Sequence, residues 1–173
     1  MKKLSIVGVM GSGSVPFREL SEPLGQLLAD MGVHLLTGGG SGVMEAVSKA
    51  FVAVLPREGN TIGILPSEPH GTGPKRGYPN PWIEIPIYTH LPHSGTKGTE
   101  PLSRNHINVL SSDVLVFLPG SEGTRSELTL ALQYQKPILC LGYKHMPDRR
   151  SAGVRMLNTL DEVRSCLTEI LGP

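Results

Sequence analysis

A chain of 173 residues with 39% hydrophobic and 18% charged residues has enough material for one ordinary core and too little for two, so a single domain over 1–173 is expected. Its net charge of +1 excludes wholesale electrostatic attraction to nucleic acid or to a membrane surface and leaves room only for a local anion site. The apolar run behind Met1-Lys2-Lys3 is too short for a signal core or a span, and Cys140 and Cys166 have no metal-ligand spacing, so a cytoplasmic protein without a disulfide is expected.

Leu4 to Val9 reads as a first strand, broken by the turn Met10-Gly11-Ser12-Gly13-Ser14. Phe17, Leu20, Leu24, Leu27, Leu28 and Met31 then recur at helical spacing, and Gly32 is a natural stop. Pro23 leaves two starts open: an N-cap at Ser21, or an earlier start near Pro16 with a kink. Val33 to Leu36 is a second strand, followed by Thr37-Gly38-Gly39-Gly40-Ser41-Gly42 and a helix with Val43, Ala46, Val47, Ala50, Phe51 and Val54 on one face. Thr61 to Leu65 is a third strand. Strand, turn and helix alternating at this spacing predict parallel βαβ units.

Residues 66–101 differ, being dense in Pro, Gly, His and Thr, with Ile83 to Tyr88 as their only strand-like piece. A long loop of this kind reads as a lid or partner surface. His90 and His93 lack the further ligand that a metal site needs, and Lys75, Arg76 and Lys97 read as solvated charges. Leu102 to Leu110 is expected as a short helix carrying Arg104 just ahead of the next strand.

That strand, Val114 to Leu118, is a continuous apolar run of the type buried on both faces of a parallel sheet. Pro119-Gly120 end it, Gly123 follows, and Thr124 with Glu127 has capping-box spacing for a helix start. Another buried strand spans Lys136 to Gly142, a polar loop runs from Lys144 to Ser151, and the chain ends in a helix beginning near Asp161. The expected fold is α/β, a Rossmann-like three-layer sandwich around a mostly parallel central sheet.

Three glycine-rich turns, at Gly11 to Ser14, Gly38 to Gly42 and Gly120 to Gly123, all follow strands and would meet at one sheet edge. Glycine backbones approach a ligand closely, and helix starts there offer free N–H groups, so together they suit a nucleotide or sugar phosphate. Gly8, Gly11 and Gly13 have GxxGxG spacing rather than GxGxxG, and no acidic residue ends the second strand, which disfavours NAD.

Thr37-Gly38-Gly39-Gly40-Ser41-Gly42-Val43-Met44 resembles the GGGxxGxM motif, and Pro119 to Glu127 the PGGxGTxxE motif, of the LOG family of cytokinin-activating nucleoside 5′-monophosphate phosphoribohydrolases. Ser121 replaces the second glycine of PGG, Asn105 a basic residue after the arginine, and Glu45 a glycine after the methionine. The resemblance implies that Arg104 and Glu127 are catalytic. The carboxylate of Glu127 would stabilise an oxocarbenium-like ribose, and Arg104 would hold the 5′-phosphate or assist the departing base. It also implies phosphate or nucleotide contacts by Gly11, Ser12, Gly13, Gly38, Gly39, Gly40, Gly42, Met44, Pro119, Gly120, Ser121, Gly123 and Thr124, and a homodimer or larger assembly. The run Ser103 to Ser112 is similar instead to the molybdenum cofactor carrier proteins, relatives that bind a phosphorylated pterin without turning it over. The leading expectation is thus a phosphoribohydrolase acting on an AMP-like nucleotide. The alternatives are a molybdenum cofactor carrier holding a molybdopterin-type ligand and a nucleotide sensor, and the plainest structural account of Arg104 and Glu127 is a salt bridge between two helices. No metal and no further cofactor are implied.

Overall fold

The computed structural model describes residues 3–143 and 153–172. Its elements in chain order are β1 (Ile6–Met10), α1 (Arg18–Asp30), β2 (His34–Thr37), α2 (Val43–Val52), β3 (Thr61–Leu65), β4 (Ile85–Tyr88), α3 (Asn105–Ser111), β5 (Val114–Phe117), α4 (Glu122–Gln133), β6 (Ile138–Leu141), β7 (Val154–Leu157) and α5 (Leu160–Leu171). Among the described residues the strands form one seven-stranded sheet in the order β4-β3-β2-β1-β5-β6-β7. Every pair is parallel, so "mostly parallel" understates the sheet.

Alternation along the strands divides the apolar side chains between two helix layers. Val7, Val9, Leu35, Val114 and Val116 meet α1, α2 and α5, whereas Met10, Leu36, Leu115 and Phe117 meet α3 and α4. These two buried clusters make the sheet the middle of a three-layer sandwich, with its central strands β5 and β6 buried throughout. Strand order runs outward from β1 in one direction and from β5 in the other. A crevice opens at the carboxyl ends of such a pair, because their crossovers leave on opposite faces.

Several local expectations are corrected. Helix α1 starts at Arg18, with Leu20 and Ser21 N–H both donating to Phe17 O, so Ser21 is not the N-cap; its hydroxyl donates instead to Pro16 O at 2.7 Å, and Pro23 lies inside the helix. Helix α3 begins three residues later than expected, because the Ser103 hydroxyl takes the Asn105 N–H at 3.1 Å and leaves Arg104 at the cap position. Helix α4 begins before Thr124. Arg125 N–H closes its first turn on Ser121 O at 3.0 Å, so Ser121 is the N-cap and Thr124 lies in the first turn, free of the capping box with Glu127.

In the segment 66–101 the strand-like piece expected at Ile83 to Tyr88 is β4, which pairs with β3 from Ile85 to Tyr88 and completes the sheet edge. Its side chains Ile85, Ile87 and Tyr88 are exposed. At the other edge stands β7, unforeseen in the sequence and followed by a Thr159–Glu162 capping box on α5. The polar loop expected at Lys144 to Ser151 lies outside the described residues. No helix among those described is long and apolar enough to cross a membrane.

Candidate functional site

The turns after β1, β2 and β5 are tied together through Ser12. Its N–H donates to Pro119 O at 3.1 Å, and its carbonyl accepts from Val43 N–H at 2.9 Å. Its hydroxyl accepts the N–H groups of Ser14 and Val15 and closes its own turn. Three glycine turns well separated in sequence therefore meet at the β1/β5 crevice.

A cavity of about 210 Å³ opens there, lined by Val9, Met10, Gly11, Gly13, Met44, Tyr78, Ser94, Gly95, Arg104, Asn105, Ser121, Gly123, Thr124 and Glu127. Of the residues singled out in the sequence, Gly11, Gly13, Met44, Arg104, Ser121, Gly123, Thr124 and Glu127 face it. Ser12, Gly38, Gly39, Gly40, Gly42, Pro119 and Gly120 do not line it. Two of these make room. A Cβ on Gly38 would overlap the Arg104 guanidinium, and one on Gly120 would overlap the Thr124 hydroxyl. Gly39 O accepts Asn80 N–H at 2.7 Å, and Gly42 leads into the Val43 contact with Ser12.

Arg104 is 3% exposed, and its Nε and Nη1 have no hydrogen-bond partner among the described residues. A buried guanidinium with idle donors is costly unless an anion or water meets them. Glu127, 8% exposed, is the one carboxylate on the cavity wall among the described residues, and its Oε1 lies 3.8 Å from Arg104 Nη1. That is close enough for Coulombic attraction and too long for a hydrogen bond. Burial pushes the Glu127 carboxyl up to about 7, outweighing the nearby Arg104 charge. The fully buried Asn108 amide also favours the carboxylate, yet neither of its polar atoms reaches hydrogen-bond geometry.

One turn before Glu127 on the same helix, α4 presents its first turn to the cavity. Ser121 makes no side-chain cap, and the N–H groups of Glu122, Gly123 and Thr124 precede the first intrahelical bond. Those groups and the helix dipole favour negative charge. The site thus offers a guanidinium, a helix start, a hydroxyl and one half-neutral acid, with Met44 and Tyr78 adding apolar and aromatic surface. Such a set suits a small ligand that carries an anion and a ring.

Six lining residues were not among the predicted site residues, and two of them, Val9 and Met10, are simply the end of β1. Asn105 adjoins Arg104 and could have been found from that adjacency. Tyr78, Ser94 and Gly95 come from the segment read as a lid and carry no local signal. His93, also from that segment, turns its Nδ1 towards Glu100 Oε2, 2.9 Å away.

A model described as the SLOG cluster4 family matches residues 4–166. An uncharacterized protein of Archaeoglobus fulgidus is 31% identical over 169 residues, which are 96% of this chain and 97% of that one. The molybdenum cofactor binding protein from the phototrophic bacterium Rippkaea orientalis superposes with a TM-score of 0.77 at 33% identity, covering 99% of both chains. The molybdenum cofactor carrier protein of Chlamydomonas reinhardtii does so with a TM-score of 0.75 at 29% identity, over 99% of this chain and 100% of that one.

Proposed function

From the premise that this chain belongs to the SLOG cluster4 family, we propose that it binds and carries a small phosphorylated heteroaromatic ligand of the molybdenum cofactor type, without hydrolysing it. The observation that carries the reading is the buried Arg104, whose Nε and Nη1 are without partners beside the open start of α4. A phosphate in the crevice satisfies both, with charge-assisted hydrogen bonds from the guanidinium and backbone N–H bonds from Gly123 and Thr124. Likeness over nearly the whole chain to two proteins named for binding or carrying the molybdenum cofactor supports the choice of ring.

Electrostatics also favours carriage. A carboxyl pushed up to about 7 is half neutral at that pH, so it repels an incoming phosphate less than an ordinary glutamate would. As an oxocarbenium stabiliser Glu127 would act through its ionised fraction alone, and glycosidic hydrolysis usually recruits a second acid or base. Among the described residues Glu127 has no carboxylate companion on the cavity wall.

The hydrolase reading keeps one observation in its favour: Arg104 and Glu127 face the same cavity, as the LOG resemblance requires. Incubation with AMP separates the two. The carrier reading expects no adenine or ribose 5-phosphate above background, and retention of an oxidised, fluorescent pterin phosphate on gel filtration that Arg104→Gln abolishes. Adenine release lost in Glu127→Ala would replace it with the hydrolase.

A further inference from the structure

The Gly38–Gly40 turn touches two chemically different parts of the cavity. Gly38 backs the Arg104 guanidinium, while a Cβ on Gly40 would come within 2.9 Å of Tyr78 Cε1 and Cζ and 2.8 Å of Met44 Cε. Two residues of backbone span at most about 7 Å. Cation and phenol ring therefore flank one small volume, and both line the cavity.

The ring is not left to a floppy loop. Asn80, two residues on, is buried and fastened to the same glycine turn: its N–H donates to Gly39 O at 2.7 Å and its Nδ2 to Gly40 O at 2.8 Å. Its Oδ1 accepts Trp82 N–H at 3.0 Å, and Tyr78 N–H donates to Lys75 O at 3.1 Å. Two bonds from one buried residue hold the 78–82 stretch against a turn forty residues away in sequence, and a third closes a turn within the stretch. By contrast, among the described residues the Tyr78 hydroxyl makes no hydrogen bond within the protein that would explain its position. What the fold fixes is the ring's place on the cavity wall, against Gly40.

Resting on the carrier reading for the ligand's class, we propose that Tyr78 is the specificity-determining residue of the site. It stacks on the planar heteroaromatic ring of the ligand against the Met44 methyl, and Asn80 is the residue that positions it. Stacking of a base or pterin on an aromatic side chain selects for a flat ring without reading its edges, so Tyr78 divides ring-bearing phosphates from sugar phosphates and inorganic phosphate. Arg104 and the α4 start supply anion affinity common to all of them.

The test titrates wild type, Tyr78→Phe, Tyr78→Leu, Tyr78→Ala and Asn80→Ala with the fluorescent pterin phosphate, AMP and inorganic phosphate. Tyr78→Phe is expected to bind the pterin phosphate within about 2-fold of wild type, and Tyr78→Ala about 10-fold more weakly, with loss of the stacking quench. Tyr78→Leu keeps apolar bulk and fold yet loses the quench. Asn80→Ala weakens the quench although Tyr78 is intact, while inorganic phosphate competes equally well in every variant. Tight wild-type binding with Tyr78→Leu or Tyr78→Ala unchanged overturns the stacking role and leaves the carrier reading standing, as does an equal loss for inorganic phosphate. A wild type that binds inorganic phosphate but no ring-bearing phosphate overturns both.

Discussion

Glu127 makes the sharpest prediction available to a single residue. Its ordinary value of 4.5 applies in the unfolded chain, and burial raises it to about 7 in the fold. Below pH 4.5 the carboxyl is neutral in both states and costs nothing. Between 4.5 and 7 the unfolded chain gives up the proton while the fold retains it, so stability falls as pH rises. Above 7 both states are ionised and the penalty levels off at about 3 kcal/mol. Urea unfolding of wild type and Glu127→Gln across this range isolates the effect, because all other titrating groups cancel in the difference. Wild type should lose roughly 2–3 kcal/mol relative to the variant between pH 4.5 and 8, and a flat difference would show that the carboxyl is not desolvated. The same variant tests affinity. Binding of a phosphorylated ligand should weaken through pH 7 in wild type more than in Glu127→Gln, the ligand's own titration being common to both.

At the scale of elements, close approach decides what the site tolerates. Gly38 has no side chain because the Arg104 guanidinium occupies its place, so Gly38→Ala should leave a folded protein whose arginine is displaced and whose affinity for phosphate drops at least 10-fold, read by the same titrations. Helix α5 gives the contrasting case. Its Thr159–Glu162 capping box supports a helix that contributes nothing to the cavity. Thr159→Ala should cost about 1 kcal/mol in urea unfolding and leave ligand affinity alone. The buried strands and glycine turns were legible in the sequence because their signals are local: continuous apolar runs such as Val114 to Phe117, ended by Gly and Pro. The misplaced starts of α3 and α4 turn on single hydrogen bonds, Asn105 N–H to the Ser103 hydroxyl and Arg125 N–H to Ser121 O, that no residue preference announces. Strand β7 reads Val-Arg-Met-Leu, an edge strand with an exposed Met156 and no apolar run to mark it. Tyr78 was invisible for a different reason, since its place depends on Asn80 meeting a glycine turn far away in the chain.

For the whole molecule, the position of the cavity between β1 and β5 makes ligand binding a property of both halves of the sheet. Gly11, Gly13, Met44 and Tyr78 come from the β1 to β4 side, and Arg104, Asn105, Ser121, Gly123, Thr124 and Glu127 lead into or out of β5. Ser12 already joins the halves through its bonds to Pro119 and Val43, and a ligand whose phosphate is held by Arg104 and the α4 start while its ring meets Met44 and Tyr78 adds a second tie across the same line. None of these groups is assembled in the unfolded chain, so occupancy stabilises the complete fold rather than one segment. At a ligand concentration of 100 times Kd the gain is about 2.7 kcal/mol, which for a chain of this length raises Tm by about 5–10 °C. Scanning calorimetry with saturating pterin phosphate should show one transition moved upward as a unit, and Arg104→Gln should abolish the shift. A ligand-dependent shoulder, with part of the protein melting at its original temperature, would place the binding energy in one half of the sheet and contradict a site built from both.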